Sequence, residues 1–487
     1  MKVDQRSRLL AVTTAALLAV GAAPALSAQG FGLNEIGSCS VGRAGAGVAA
    51  PCQDASRIYW NPATTASLEP GRVSLLVGAA PISVNGGFIQ DTTLTRYPGN
   101  VPTEVPPHLF VNYSGNLNRY GVSRFGVGLG VYVPYGLTSE WNSDFPGRFA
   151  AKKASLQTIY IQPNFSVEVV PNRLFIGAGP VIGYSTVELV QGVDLAAQAL
   201  PTDPTGTLTF GNIGIPPLTE FARGNLKGDA WAGGFHVGAQ AQITPTFSIG
   251  GRLLSALFFE YEGDVNFVQI PTNITLAANS PLVNGSGPSV RLDDVLAPQF
   301  GASGPLVRQD VRTQIKHPAQ LQVGLGYTGL ERTTLNLDYN YTKWDQFDVL
   351  PVNFLGPAAS RSRDIIEDYE NSHSFRIAGE HQFQGSTAAP FLNGVTGRAG
   401  FNYVNTPAPD ITVTPLLPDM DRYNFGIGAG IPLGRTVLDL SYLRVETPGR
   451  RGRIVERTAA ETDPAALNSG WYELTANVFS ISLKASF

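Results

Sequence analysis

The run Asn477-Val-Phe-Ser-Ile-Ser-Leu-Lys-Ala-Ser-Phe487 keeps a two-residue period. Phe479, Ile481, Leu483, Ala485 and Phe487 fall on one face of an extended strand, and Ser480, Ser482, Lys484 and Ser486 on the other. One face suits lipid and the other suits water. An aromatic residue ending such a strand is what a bacterial outer-membrane β-barrel closing on itself is expected to show.

The same alternation recurs upstream. Ile159, Ile161, Phe165, Val167 and Val169 oppose Thr158, Tyr160, Gln162, Asn164, Ser166 and Glu168. Leu335, Leu337, Tyr339 and Tyr341 oppose Asn336, Asp338, Asn340 and Thr342, and Phe375, Ile377 and Phe383 oppose Ser374, Arg376, Glu380 and Gln382. The second face is hydrophilic, as a hydrated lumen requires. Marking each such stretch predicts strands at Arg72–Ile82, Pro107–Tyr113, Arg124–Tyr135, Leu156–Val169, Leu174–Val187, Leu226–Ile243 and Phe247–Glu260. The second half adds Val311–Tyr327, Thr333–Trp344, Ser374–Phe383, Gly397–Asn405, Arg422–Ile431, Thr436–Arg444 and Ala476–Phe487. The fold class is therefore all-β, a transmembrane antiparallel β-barrel of about fourteen strands, an even number as single-chain bacterial barrels require.

Connection lengths agree independently. Val170 to Arg173, Thr244 to Thr246 and Pro432 to Arg435 are tight turns, whereas Thr186 to Asn225 and Tyr261 to Asp310 are long excursions. Short periplasmic turns and long extracellular loops produce that contrast, while a soluble β-sandwich has no reason to gather its long loops at one end. The 43% hydrophobic content is low for a helical membrane protein but suits strands that show half their side chains to lipid. A net charge of -4 gives no sign of nucleic acid as a partner.

Lys2, Arg6 and Arg8 precede the apolar run Leu9 to Val20 and the small-residue segment Pro24 to Ala28, the pattern of a cleaved signal peptide over residues 1–28. An exported chain meets an oxidising periplasm, which favours a disulfide between Cys39 and Cys52 over two free thiols. Such a bridge contributes about 3 kcal/mol in the chain-entropy description. His108, His236, His317, His373 and His381 are scattered, without the spacing of metal ligands. Residues 29–70 are rich in Gly and small side chains and have no sustained period. A lumen of about fourteen strands is too wide for its own side chains to fill, so this stretch is expected to fold inside as a plug, ahead of a barrel at 71–487. Gly45-x-Gly47-x-x-Ala50 lacks the βαβ setting of a dinucleotide site, so no cofactor is expected.

Several motifs in order carry a family resemblance: Gly30-Phe31-x-Leu33-Asn34-Glu35, Gly42-Arg43-Ala44-x-Ala46-Gly47, Asp54-Ala55-Ser56 and Asn61-Pro62-Ala63. Further along come Pro134-Tyr135-Gly136-Leu137, Gly147-Arg148-Phe149, Tyr341-Thr342-x-Trp344 and Pro418-Asp419-x-Asp421-Arg422. With the strand count and the leading segment, the chain resembles the FadL-type outer-membrane channels for long-chain fatty acids and other hydrophobic compounds. The resemblance implies passive uptake past the lipopolysaccharide layer of the bacterial outer membrane, with a hydrophobic small molecule as ligand. It implies that Phe31 and Leu33 border a deep pocket, that Asn61-Pro62-Ala63 packs near an irregularity in the third strand, and that this irregularity is a side exit. Pro134 and Gly136 interrupt that strand, either as such a gate or simply because the strand ends there.

Under the same reading the two longest loops collect the ligand, through residues such as Phe210, Ile213, Phe221, Ile270 and Leu276, which form either an exposed groove or a small loop core. Burying a sixteen-carbon tail would gain on the order of 12 kcal/mol at about 0.8 kcal/mol per methylene, a grip too tight for release, so transport calls for a partly exposed first site. Arg148 and Lys152 are candidates for a carboxylate head group, or else for lipopolysaccharide phosphates and water. Arg450, Arg451, Arg453 and Arg457 have the same two readings. No Ser/His/acid or paired-carboxylate pattern points to an enzyme. A general diffusion porin and a channel specific for aromatic hydrocarbons are the alternatives, and the protein is expected to act as a monomer.

Overall fold

The computed structural model describes residues 30–452 and 470–487, apart from 34–35, 92, 120, 201–206, 279, 281 and 283–287. The signal peptide expected over 1–28, and Arg453 and Arg457, lie outside the described residues. Fourteen antiparallel strands close into a barrel. They are β1 (Arg72–Ala79 and Ile82–Gln90), β2 (Pro107–Arg119), β3 (Val122–Glu140), β4 (Lys153–Val170), β5 (Leu174–Asp194), β6 (Glu220–Thr244) and β7 (Phe247–Leu254 and Leu257–Gln269). The second half comprises β8 (Gln309–His317 and Gln320–Leu330), β9 (Thr333–Thr342 and Val349–Phe354), β10 (Arg363–Ile366 and Ser372–Gln382), β11 (Thr396–Val404), β12 (Arg422–Leu433), β13 (Thr436–Glu446) and β14 (Gly470–Ser486). Each strand pairs with its sequence neighbour, and Ser74 opposite Ser486 closes β1 onto β14. All fourteen sequence-derived strands are present. Several run further at the loop ends than the alternation suggested, β5 as far as Asp194 and β6 from Glu220.

The alternation holds along β4 and β14. Ile159, Phe165, Phe479 and Ile481 are exposed, whereas Gln162, Asn164, Ser166, Ser480 and Ser482 are buried. That burial corrects the expectation of a hydrated second face. The inward polar side chains are instead hydrogen-bonded to residues 36–68: Gln162 Nε2 donates to Ile58 O (3.0 Å), Asn164 Nδ2 to Thr65 Oγ1 (2.9 Å), and Ser38 Oγ lies 2.6 Å from Ser482 Oγ. Asp338 on β9 accepts from the backbone N–H of Gly47 (2.6 Å) and Val48 (2.9 Å). An ionic chain joins the same segment to three strands: Arg43 Nη2 to Glu380 Oε1 (2.8 Å), Glu380 Oε2 to Arg398 Nε (2.7 Å), and Arg398 Nη1 to Asp439 Oδ1 (2.5 Å). Polar inward faces thus serve a polar, short-helical segment whose backbone donors and acceptors need partners away from water. Cys39 and Cys52 are joined by a disulfide that spans the middle of that segment, with Cα atoms 6.2 Å apart.

Close approach sets one further requirement. A Cβ added at Gly177 on β5 would stand 2.5 Å from Pro62 O, a backbone atom that cannot swing aside. Gly177→Val should therefore lower stability by about 1–3 kcal/mol through overpacking, read as an earlier loss of the folded, fast-migrating band on heating. An unchanged transition would mean that residues 61–63 are not clamped to the wall.

Candidate functional site

Where β3 passes Pro134, the barrel wall loses its ladder. The β2–β3 pairing runs only from Arg119 opposite Val122 to Leu109 opposite Val131. Beyond it, β3 faces Val101-Pro102-Thr103-Glu104-Val105-Pro106-Pro107, whose three prolines have no N–H to give. Thr138 Oγ1 donates to Glu104 Oε1 (3.0 Å) across this stretch, and backbone pairing resumes at Asn100, whose N–H donates to Glu140 O (2.7 Å). On the other side, the β3–β4 register shifts between Tyr132 and Tyr135, so Val133 and Pro134 carry an extra residue. The two irregularities leave a gap bounded above and below by intact ladder.

A short strap of chain lies across the inner side of this gap. Leu33 N–H donates to Pro134 O (2.8 Å), Gly136 N–H donates to Phe31 O (3.0 Å), and Gly32 bridges Tyr135. At its other end Gly30 N–H donates to Asp419 Oδ2 (3.0 Å), while Arg422 Nη2 donates to Gly30 O (2.9 Å) and to Asp419 Oδ1 (3.1 Å). Gly30 has φ +60°, and a Cβ there would meet Trp344 Cζ2 at 2.6 Å, so only glycine lets the strap lie flat on that ring. The Phe31 ring sits in an aromatic cage, edge-on to Trp344 (4.7 Å between centroids), Phe347 (5.5 Å), His317 (5.6 Å) and Tyr135 (5.9 Å).

Three cavities line up around the strap. An outer groove of about 170 Å³ lies between Phe149, Leu189, Leu226, Val265, Phe267 and Val352, with Arg361 and Arg363 at its polar side. It shares Leu189, Leu226 and Val352 with an inner pocket of about 70 Å³ lined by Phe31, Leu137, Leu156, Ile315, Phe347 and Leu417. The inner pocket shares Leu137 and Leu156 with a wall cavity of about 300 Å³, which holds Gly30 and Leu33 on the inside and Val133, Gly136 and Ile159 at the gap. An apolar cavity of about 150 Å³ admits a benzene ring, so the inner pocket is too small in this state for even that ligand and must widen to be used. Nothing in its lining is a Lys, Arg or His. Apart from Glu188, Ser155 and Thr313 its lining is apolar, a wall suited to apolar molecules. Among the described residues, the cluster of metal-donor atoms at Cys39, Cys52 and Asp54 has its two sulfurs bonded to each other.

Phe31, Leu33, Pro134 and Gly136 are thus brought together, while the other sequence candidates lie elsewhere. Asn61, Pro62 and Ala63 pack on β4, β5 and β6: Asn61 Nδ2 donates to Val48 O (2.8 Å) and Ala239 O (3.0 Å), and Pro62 O accepts from Asn164 Nδ2 (3.2 Å). That corrects their expected place beside the third-strand irregularity, which the strap occupies instead. Phe210, Phe221 and Leu276 are buried with Leu195, Leu292 and Leu296 in a loop core, with Ile213 packed against it, so the core reading of these residues replaces the groove reading; Ile270 is half-buried. None of the five lines the outer groove. Arg148 is held by Glu220 (3.1 Å) and by Phe145 O and Leu218 O. The Lys152 ammonium is pushed down in pKa by burial, and neither it nor Arg148 lines any of the three cavities. Arg450 pairs with Asp410 and Arg451 with Asp91. Asp419, Arg422 and Trp344 stood in the quoted motifs without a role; their part as anchors needed the fold.

Known proteins agree with this architecture. A long-chain fatty acid transport protein of Escherichia coli O6:H1 is 23% identical over 430 residues, covering 84% of this chain and 86% of its own. The crystal structure of a Pseudomonas aeruginosa FadL homologue superposes with a TM-score of 0.72 at 21% identity, covering 94% of this chain and 99% of that one. The crystal structure of the Pseudomonas putida toluene transporter TodX does so with a TM-score of 0.61 at 16% identity, covering 94% and 99%. The model of the outer membrane protein transport protein family (OMPP1/FadL/TodX) matches residues 18–487, and the chain belongs to that family of bacterial outer-membrane transport proteins.

Proposed function

We propose that the protein is a passive channel through which hydrophobic compounds, long-chain fatty acids or hydrocarbons, enter from outside the cell. The ligand is collected in the outer groove, passes to the inner pocket and leaves sideways through the β3 gap. Residues 29–70 act as the hatch, of which the strap Gly30–Leu33 is the moving part. The observation that carries this reading is that the strap separates two cavities sharing Leu137 and Leu156. Four hydrogen bonds hold the strap, each contributing about 0.5–1.5 kcal/mol net, so a ligand gaining about 0.8 kcal/mol per buried methylene can offset its displacement. The hatch's many bonds to the wall speak against an open aqueous pore, and hence against a general porin. Above Tyr184 and Trp231 the outward side chains turn to Lys153, Glu188 and Lys227, which are ion-paired at 2.8 and 3.2 Å, a polar band suited to lipopolysaccharide head groups. The barrel closes within one chain, so a monomer already has a complete wall, and we read the protein as working as one.

A cross-link tests the strap. Gly32 and Tyr135 stand opposite one another, at a spacing suited to a disulfide. With both replaced by Cys, oxidation should stop uptake of a radiolabelled fatty acid into proteoliposomes, and reductant should restore it. Wild type, which carries only the native bridge, serves as the reductant control. Undiminished uptake by the oxidised double variant would rule out movement of the strap.

A further inference from the structure

Along β8 the residues Gln309, Val311, Thr313, Ile315 and His317 take the inward positions and are buried. At one end of this stripe Gln309 Nε2 donates to Pro305 O and Val307 O (both 3.1 Å), and its Oε1 accepts from the N–H of Ala358 (2.8 Å). At the other end His317 Nδ1 lies 3.1 Å from Tyr160 Oη. Across the ladder from Thr313, Tyr261 Oη donates to Ser185 Oγ (2.8 Å). Thr313 departs from this pattern. The residue is only 8% exposed, and among the described residues its Oγ1 has no hydrogen-bond partner. That hydroxyl belongs to the wall of the inner pocket. Ser155 and Glu188 also line the pocket, but they take the outward positions beside Leu156 and Leu189, and Glu188 is paired with Lys153 and Lys227. Two other unpaired buried donors, Trp344 Nε1 and Tyr369 Oη, belong to rings set edge-on against Phe31 and Phe347 and do not line the pocket. Keeping a buried hydroxyl unpaired is destabilising, and in a ligand wall it is explained by a ligand that supplies the partner.

We infer that Thr313 is a specificity-determining residue of the inner pocket, and that among uncharged ligands it selects those carrying one oxygen on an apolar body: an alcohol, a ketone or a phenol. The inference rests on the transport reading above and narrows its ligand class. Once the pocket has widened, the ligand oxygen pairs with Thr313 Oγ1 while the apolar body lies along Leu189, Leu226 and Val352, which line both the pocket and the outer groove. A hydroxyl can donate or accept, so each of these oxygens finds a partner there. An ionised carboxylate would be stranded at that depth, since no Lys, Arg or His lines the pocket. A plain hydrocarbon fits the same wall but leaves the Thr313 hydroxyl unpaired.

The test is isothermal titration of the detergent-solubilised barrel with 1-decanol and with undecane, in which a methyl replaces the hydroxyl. Each affinity is compared between wild type and Thr313→Val in one detergent, so partition into micelles cancels. Val keeps the shape of Thr and suits a strand. The variant should therefore fold, with a heat transition at or above that of wild type because the unpaired hydroxyl is gone. Thr313→Val should bind 1-decanol about twofold to tenfold more weakly, the ratio expected of one uncharged hydrogen bond, and should bind undecane as wild type does. Thr313→Ser, which keeps the hydroxyl, should retain most of the affinity for 1-decanol. Equal affinity of wild type and Thr313→Val for 1-decanol would overturn the assignment. A parallel loss of both ligands, or a lower heat transition, in Thr313→Val would also overturn it, since either marks a structural role. Failure of the transport reading looks different: the 1-decanol ratio would hold while fatty-acid uptake by wild-type proteoliposomes stayed at the level of protein-free liposomes.

Discussion

Gly136→Val should reduce fatty-acid uptake to near the level of protein-free liposomes while the barrel keeps its heat resistance. A side chain at position 136 enters the wall cavity, where its Cβ alone would come 3.0 Å from Leu33 Cδ1. The two further methyls occupy the space between strap and lipid through which the tail must pass. The strand itself is not strained by the change, since β-branched residues suit extended backbone and Gly136 keeps its N–H bond to Phe31 O. Binding at the outer groove, measured with the same ligand, should stay near wild type. Loss of uptake with retained binding separates the exit from the capture site. Normal uptake by Gly136→Val would mean that the ligand leaves by another route.

Glu380→Ala should have the largest effect on stability. Its carboxylate sits between Arg43 of the hatch and Arg398 of β11, and its removal leaves two largely buried guanidinium groups with less counter-charge. Breaking a buried pair in this way costs about 3–5 kcal/mol. The expected result is an earlier heat transition together with single-channel openings in planar bilayers, because the hatch loses its ionic tie to the wall. Glu380→Gln, which keeps an acceptor for one arginine, should be milder on both measures. An Ala variant with wild-type melting and no openings would show that hydrogen bonds such as those of Asp338 and Gln162 hold the hatch unaided.

The barrel was legible because lipid imposes a strict two-residue period on every strand, and all fourteen came from that signal. The inside was legible less well. The alternation assigns Gln162, Asn164 and Asp338 to water, since a polar side chain looks the same in sequence whether its partner is water or a buried backbone group. The loop residues Phe210, Phe221 and Leu276 gave the opposite difficulty: apolar content marks burial but not whether a ligand or a neighbouring loop does the burying. Pro134 and Gly136 marked one edge of the wall gap. The other edge was equally visible in Val101-Pro102-Thr103-Glu104-Val105-Pro106-Pro107, a proline-rich stretch opposite an interrupted strand, but only the pairing of β2 with β3 shows that the two face each other.

The proposed route runs from groove to inner pocket to wall and is opened by the strap. A structure of the barrel in lipid nanodiscs with a terminally brominated fatty acid tests it most directly, because bromine marks the end of the tail without ambiguity. Bromine density is expected beside Phe31 and Leu156, or between Leu33 and Gly136 at the gap in β3. Density at the periplasmic face, past Cys39 and Cys52 and the Arg43–Glu380 pair, would contradict it.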